Sequence, residues 1–100
     1  MFLPVKGVKI ITTTELQNIL KKKNYEFIDV RTPGEYKRNN IEQFKNVPLQ
    51  KLDQHIKNLS KDKEIIVICQ SGMRSMQACK RLKHIGFENV TNVKRGMNGW

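Results

Sequence analysis

The amino-acid sequence predicts an α/β fold with a mostly parallel central sheet flanked by helices. Short apolar runs alternate along the chain with segments of helical periodicity, an alternation typical of parallel strands joined by helices. Two threonine–glutamate pairs with capping-box spacing mark helix starts, and Gly86 stands where the C-terminus of a helix is expected. The 100 residues suffice for one hydrophobic core, so residues 1–100 are predicted to form a single domain.

Four helices are predicted from local signals. The first two begin at Thr12–Glu15 and Thr32–Glu35, where a threonine side chain and a glutamate three residues later can satisfy each other's backbone amides. Apolar residues spaced along Leu52–Leu59 predict a third, amphipathic helix. The fourth is predicted over Arg74–Gly86. The predicted strands lie between these helices, at residues 7–11, 25–30, 44–48, 65–68 and 90–93.

Composition excludes several classes of protein. No apolar stretch approaches the ~18 residues needed to cross a membrane, so no membrane association is expected. Residues 1–6 lack the basic start and long apolar middle of a signal peptide, and a cytoplasmic location is therefore expected. The 2 cysteines and 2 histidines have no metal-ligand spacing, so the protein is expected to need neither a metal nor another cofactor.

The strong positive charge does not by itself indicate a nucleic-acid-binding protein. The formal net charge is +10, but the lysines are scattered, with no interleaved aromatic residues and no recognition motif. Most of them are explained as solvated helix faces and loops. A basic surface also attracts small anions, and an anionic ligand is therefore compatible with the charge.

The stretch around Cys69 is the most informative part of the chain. The apolar run Ile65–Ile68 is typical of a buried strand, and it leads directly into Cys69 and a small glycine-containing loop. At such a junction, loop amides and the N-terminus of the next helix converge on the sulfur and favour negative charge. Since the thiolate is the nucleophilic form of cysteine, Cys69 is predicted to be an activated nucleophile in an electropositive, exposed setting. An inert, buried cysteine at a strand end is the alternative.

Several segments, in this order and spacing, match a known family. The chain resembles the single-domain rhodaneses, which carry sulfur on a cysteine. Three places depart from the usual pattern: Asn39-Asn40 replace a frequent Gly-His, Phe44 a small residue, and Arg95-Gly96 a glycine pair. These departures concern the scaffold and leave the cysteine loop unchanged. The matching segments are Ile28–Tyr36, Asn46–Leu49, the Cys69 loop (residues 69–75), Gly86–Val90 and Gly99–Trp100.

The resemblance implies a sulfurtransferase. Cys69 would attack the outer sulfur of a donor such as thiosulfate, release sulfite, and pass the sulfur from its persulfide to cyanide in vitro or a thiol in the cell. The implied partners are a small anionic sulfur donor and a thiol or protein acceptor, with the protein acting as a monomer. Arg74 is expected to bind the donor or the loop, and Ser75 to donate to the sulfur or cap the helix. The implied substrate-binding residues are Gln70, Ser71, Gly72, Met73, Arg74 and Ser75.

Three other functions are compatible with parts of the sequence. A cysteine phosphatase also uses a thiolate and an arginine, but protein-tyrosine and dual-specificity phosphatases have one residue more than the four between Cys69 and Arg74. Ile68 also stands where those enzymes place a histidine. A regulatory rhodanese-like binding module commonly lacks the cysteine. A persulfide carrier that works only with a protein partner shares the first chemical step, and the sequence does not separate it from the sulfurtransferase hypothesis.

Four further residues carry expectations. Asp29 is interpreted as a hydrogen-bonded acid and Arg31, close to Glu35, as part of an ion pair that holds the loop, rather than as acid–base catalysts. Cys79 is expected to be a small core residue rather than a resolving thiol. Trp100 is expected to be a buried packing anchor.

Overall fold

A computed structural model of the chain describes residues 6–100, which fold around one five-stranded sheet. The segment that argued against a signal peptide falls largely in residues 1–5, outside the described part. Every strand pairing is parallel and the strand order is β1-β5-β4-β2-β3, so the prediction of an α/β fold is confirmed. The strands are β1 (Val8–Ile11), β2 (Tyr25–Asp29), β3 (Lys45–Asn46), β4 (Glu64–Ile68) and β5 (Val90–Val93).

Four α-helices connect these strands. Both predicted capping boxes form, since Thr12 and Thr32 each accept from the backbone of the glutamate three residues later. The third helix is shorter than predicted: one helical turn lies between two 3-10 turns, and Lys51, which precedes it, supplies no side-chain cap. Leu59 already has an extended backbone there. The helices are α1 (Thr13–Ile19), α2 (Pro33–Arg38), α3 (Leu52–His55) and α4 (Met73–Ile85).

Two hydrophobic clusters cover the two faces of the sheet, and β4 contributes to both. Ile65 and Val67 pack on the face covered by α4, whereas Ile66 and Ile68 pack on the face covered by α1. All four are fully buried, as expected for a parallel strand covered by helices on both sides. Successive side chains of a strand point to opposite faces, so Cys69 continues the set that faces α4. The alternation in β4 thus directs the sulfur beneath the start of α4.

The expectation for Trp100 was wrong, since its side chain is 45% exposed. The reason lies in the 3-10 turn Gly96–Gly99, which turns Met97 inward instead. Met97 joins the core cluster beside α1, and the amide of Trp100 donates to its carbonyl. The apolar contact expected from the tryptophan is therefore supplied by a residue three positions earlier.

No helix among residues 6–100 is long and apolar enough to cross a membrane. Within the same residues, no group of three or more His, Cys, Asp or Glu side chains is arranged to hold a metal ion.

Candidate active site

The Cys69 loop joins β4 to α4 and bends at a glycine. Gly72 has a φ of 100°, a left-handed conformation that residues with a Cβ adopt only under strain. In this conformation its backbone N–H donates to Cys69 Sγ at 3.0 Å. The first α-helical hydrogen bond runs from the amide of Met76 to the carbonyl of Gly72. The amides of the first helical turn before Met76 are therefore free of intrahelical partners and can receive an anion.

A second polar contact reaches the sulfur from within α4. Ser75 Oγ lies 3.3 Å from Cys69 Sγ, and Ser75 is fully buried. The serine hydroxyl also donates to Asn92 Oδ1 on β5, and Asn92 Nδ2 donates to the carbonyl of Gly72 at 3.2 Å. These four residues form a continuous buried chain of hydrogen bonds that begins at the sulfur.

The residues that follow β5 support the Cys69 loop through backbone hydrogen bonds. The amides of Met97 and Asn98 donate to the carbonyls of Cys69 and Gln70 at 2.8 and 2.9 Å. Gly96 allows this close approach, because a Cβ at that position would lie 2.1 Å from the carbonyl oxygen of Cys69. Arg95, where a glycine pair is usual, keeps the left-handed backbone with a φ of 65°. The turn thus retains the glycine-like geometry at a site where the sequence departs from glycine.

A buried ion pair lies at the end of β2. The guanidinium of Arg31 binds both carboxylate oxygens of Asp29, with an Nη2–Oδ2 distance of 2.8 Å, and the side chains are 2% and 0% exposed. Arg31 Nη1 also donates to Gln70 Oε1 at 3.3 Å and to the carbonyl of Glu35 at 3.4 Å. Arg31 therefore contacts the Cys69 loop directly through Gln70, as expected for a residue that holds the loop. The carboxylate of its ion pair, however, belongs to Asp29 and not to the neighbouring Glu35.

Glu35 instead binds the other arginine of the site. Its two carboxylate oxygens accept from Arg74 Nη1 and Nη2 at 2.6 and 2.9 Å. The hydrogen bond from Arg74, assisted by the backbone of Thr32, lowers the pKa of Glu35 to about 2, against some opposing desolvation. The same pair raises the pKa of Arg74. Glu35 is therefore ionised at neutral pH, and it joins α2 to the start of α4.

The rhodanese-like domain family matches residues 12–100 of the chain. The chain belongs to the rhodanese-like family.

Relatives and solved structures of the family are similar over most of their length. YtwF of Bacillus subtilis (strain 168) is 38% identical over 94 residues, which cover 93% of this chain and 90% of that protein. A protein named sulfurtransferase from Allochromatium vinosum is 29% identical over 84 residues, 84% of this chain and 78% of that protein. A rhodanese-like domain protein from Staphylococcus aureus has a crystal structure with a TM-score of 0.85 and 31% identity, covering 92% of this chain and 90% of that chain. The family thus includes proteins named sulfurtransferases.

The rhodanese-like loop brings only part of the predicted substrate-binding set to the sulfur. Gly72 and Ser75 contact Sγ, whereas Arg74 binds Glu35. Gln70 binds Arg31 and Asn98. The two remaining residues of the set, Ser71 and Met73, are exposed, and Met73 is 63% exposed.

Burial of the sulfur corrects one expectation. Cys69 was expected in an exposed setting, but the residue is only 1% exposed, because it continues the buried face of β4. The buried polar contacts described above distinguish it from Cys79, which is also buried but packs in the apolar core. Desolvation, with a smaller effect from Cys69, raises the pKa of Cys79 to about 12. Cys79 is thus the core residue that the sequence suggested.

A cavity of about 290 Å³ opens beside Arg74. Its lining is largely apolar, and it includes two basic residues, Lys51 and Arg74. The remaining lining residues come from the ends of β2 and α2 and from the turn before α3: Val30, Thr32, Pro33, Pro48, Leu49 and Gln50.

Proposed function

We propose that this rhodanese-like protein moves a sulfane sulfur from thiosulfate, or a similar anionic donor, to a thiophilic acceptor through a persulfide on Cys69. The observation that carries the proposal is the polar environment of one buried sulfur. Cys69 Sγ receives the Gly72 amide at 3.0 Å and lies 3.3 Å from Ser75 Oγ, at the N-terminus of a 13-residue helix. A negative charge on sulfur, or on a second sulfur attached to it, is stabilised by such an arrangement.

The proposed reaction has two balanced steps. In the first, the Cys69 thiolate attacks the outer sulfur of thiosulfate, an S–S bond forms as the sulfur–sulfur bond of the donor breaks, and sulfite leaves with the bonding pair. In the second, cyanide or a thiolate takes the outer sulfur, and the Cys69 thiolate is regenerated. Division of the transfer into two displacements is characteristic of nucleophilic catalysis and gives ping-pong kinetics.

Each residue of the Cys69 loop has a part in this proposal. The amide of Gly72 and the hydroxyl of Ser75 stabilise the sulfur of Cys69, and the other amides of residues 70–75 surround the terminal sulfur of the persulfide. Ser71 and Met73, which are exposed, form the rim where the donor enters. The side chain of Gln70 binds Arg31 and Asn98, so it helps to fix the conformation of the loop.

The setting that we propose is a monomer in the cytoplasm. Both cysteines are free thiols, and a carrier of reactive sulfur fits a reducing compartment. Among residues 6–100 the exposed large apolar side chains are Ile10, Met73 and Trp100. Three such side chains offer less apolar surface than a stable protein interface needs. We propose residues 1–100 as one functional unit, with no nucleic acid, membrane, metal or cofactor in its reaction.

Intact-protein mass spectrometry after incubation with thiosulfate tests the proposed function. The expected result is a gain of one sulfur atom that cyanide removes and that peptide mapping assigns to Cys69. A sulfur found on Cys79 instead contradicts the mechanism. No gain with thiosulfate contradicts the proposed donor. Loading by a cysteine desulfurase would then indicate a partner-dependent carrier. Failure of both donors to load the protein would indicate a binding module. Hydrolysis of a phosphate ester would indicate a phosphatase.

Arg74 is expected to contribute to donor affinity even though it binds Glu35. The Arg74→Ala change removes a positive charge from the Cys69 loop, so the KM for thiosulfate should rise and kcat/KM should fall about tenfold. The matched Glu35→Gln change leaves the arginine and removes the competing carboxylate, so the KM should fall. Steady-state kinetics with cyanide as acceptor gives both values. Unchanged KM values in both variants would mean that the ion pair only ties α2 to α4.

A further inference from the structure

Hydrogen-bond donors and acceptors fix the direction of the buried chain that begins at Cys69. Asn92 Nδ2 lies 3.2 Å from the carbonyl oxygen of Gly72, and a carbonyl can only accept, so the amide nitrogen must face it. The oxygen of the same amide then faces Ser75 Oγ. An amide oxygen also only accepts, so the single hydroxyl proton of Ser75 is donated to Asn92.

This direction determines which form of Cys69 the chain fits. With its proton given to Asn92, Ser75 presents lone pairs to Sγ, so the 3.3 Å contact is a hydrogen bond only when the thiol proton of Cys69 points to Ser75. In the thiolate, the same lone pairs face a negative sulfur. A rotation of the Ser75 hydroxyl relieves this contact, because its proton then points to the sulfur. Asn92 Oδ1 loses its donor when this happens.

We propose that Asn92 is a positioning residue that keeps the Ser75 proton away from Cys69 in the thiol and yields it to the sulfur when Cys69 ionises. Asn92 is fully buried on β5, and it is linked to the sulfur only through Ser75. Its Oδ1 accepts a hydrogen bond from Ser75 when Cys69 is a thiol and receives none when Cys69 is a thiolate. Asn92 therefore favours the thiol, and it sets how readily the nucleophile forms. The inference deepens the proposed function, because it concerns the ionisation of the proposed nucleophile.

Replacement of Asn92 removes none of the charged or titratable groups near the sulfur. Arg74 and Cys79 on α4 lie close enough to interact electrostatically with Cys69. The remaining charged groups are paired with each other or exposed. They are Asp29 and Arg31 at the end of β2, Glu35 on α2, Lys51 before α3, and Lys94 and Arg95 after β5.

Titration of the Cys69 thiolate by ultraviolet absorbance tests this role, with Cys69→Ser as the baseline that removes the signals of tyrosine and Cys79. The Asn92→Leu change removes the acceptor, while the carbonyl of Gly72 keeps the amide of Met76. The pH midpoint of Cys69 ionisation should fall, by up to about one pH unit for one lost hydrogen bond. A loss of packing alone gives no such downward shift.

The matched variants show whether the effect passes through Ser75. In Ser75→Ala the midpoint should rise, because the thiolate loses its hydroxyl donor. Addition of Asn92→Leu to this variant should leave the midpoint unchanged. Thr91→Val, which removes a hydrogen bond to Glu64 from the neighbouring position of β5, should leave the midpoint unchanged. A midpoint that is unchanged or raised in Asn92→Leu overturns the proposal. So does a fall that persists without Ser75.

Wild-type protein provides a second readout if Asn92→Leu does not fold. The side-chain amide signals of Asn92 in nuclear magnetic resonance spectra should shift at the same pH as the Cys69 thiolate forms, and they should not do so in Ser75→Ala. Signals that ignore the ionisation overturn the proposal. These titrations need no sulfur donor, so a failure of the proposed sulfur transfer, seen by mass spectrometry, is distinguishable from a failure of this inference.

Discussion

The Cys69→Ser variant is expected to take up no sulfur from thiosulfate and to transfer none to cyanide above the rate seen without protein. A serine hydroxyl stays protonated at neutral pH and forms no stable bond to sulfane sulfur, whereas a thiolate does both steps of the proposed reaction. The fold should persist, because an oxygen at this position can still accept from the amide of Gly72. Mass spectrometry of the loaded protein and thermal unfolding measure the two effects.

Cys79→Ala is the matched control for this variant. Cys79 lies in the apolar core, with its pKa raised to about 12, so it is a neutral thiol at physiological pH. Its removal should leave the amount of loaded sulfur unchanged and lower the unfolding midpoint by only a few degrees, at about 4–8 °C per kcal/mol. Sulfur transfer that survives in Cys69→Ser, or that disappears in Cys79→Ala with an intact fold, would show that Cys69 is not the nucleophile.

Arg31→Met is expected to cause the largest loss of stability. The substitution preserves most of the side-chain volume but leaves the carboxylate of Asp29 fully buried without its cation. Breaking a buried ion pair in this way costs about 3–5 kcal/mol, out of the roughly 5–15 kcal/mol that hold a small domain folded. The contact with Gln70 Oε1 also disappears, so loading of Cys69 should fall in the protein that remains folded. Urea unfolding gives the free energy.

Two further variants show that the effect comes from the unpaired carboxylate. The double variant Asp29→Leu with Arg31→Met replaces the pair by apolar side chains and should recover part of the lost stability. Arg81→Met breaks the exposed pair with Asp53 and should change the free energy of unfolding little, because exposed ion pairs are screened by solvent. Equal losses in Arg31→Met and Arg81→Met would contradict this account, and so would a double variant less stable than Arg31→Met.

Local signals were sufficient to predict the fold class and most of its helices and strands. The capping boxes at Thr12 and Thr32, the apolar run before Cys69, and Gly86 each depend on residues within a few positions of one another. The resemblance to rhodaneses pointed to the same site. The third helix was overestimated because apolar spacing alone does not supply the caps that a short helix requires.

The contacts that complete the site depend on topology and were therefore missed. Asn92 meets Ser75 only because β5 lies beside β4, and the one signal in the sequence was a polar residue inside a buried strand. Glu35 was assigned to the cap of α2, and its carboxylate does accept from Thr32. The same carboxylate also binds Arg74, 39 residues away, since one carboxylate has room for several donors.

The strand between β1 and β4 is β5, the last of the described strands in chain order. As a nascent chain leaves the ribosome, β1 has no partner until β5 arrives, because β1 pairs with β5 alone among the described strands. The supports of the sulfur arrive at the same late stage, since Asn92 lies on β5 and Met97 and Asn98 follow it. The hydrogen bonds that fix the Cys69 loop and reach its sulfur are thus completed only after β5 has joined the sheet.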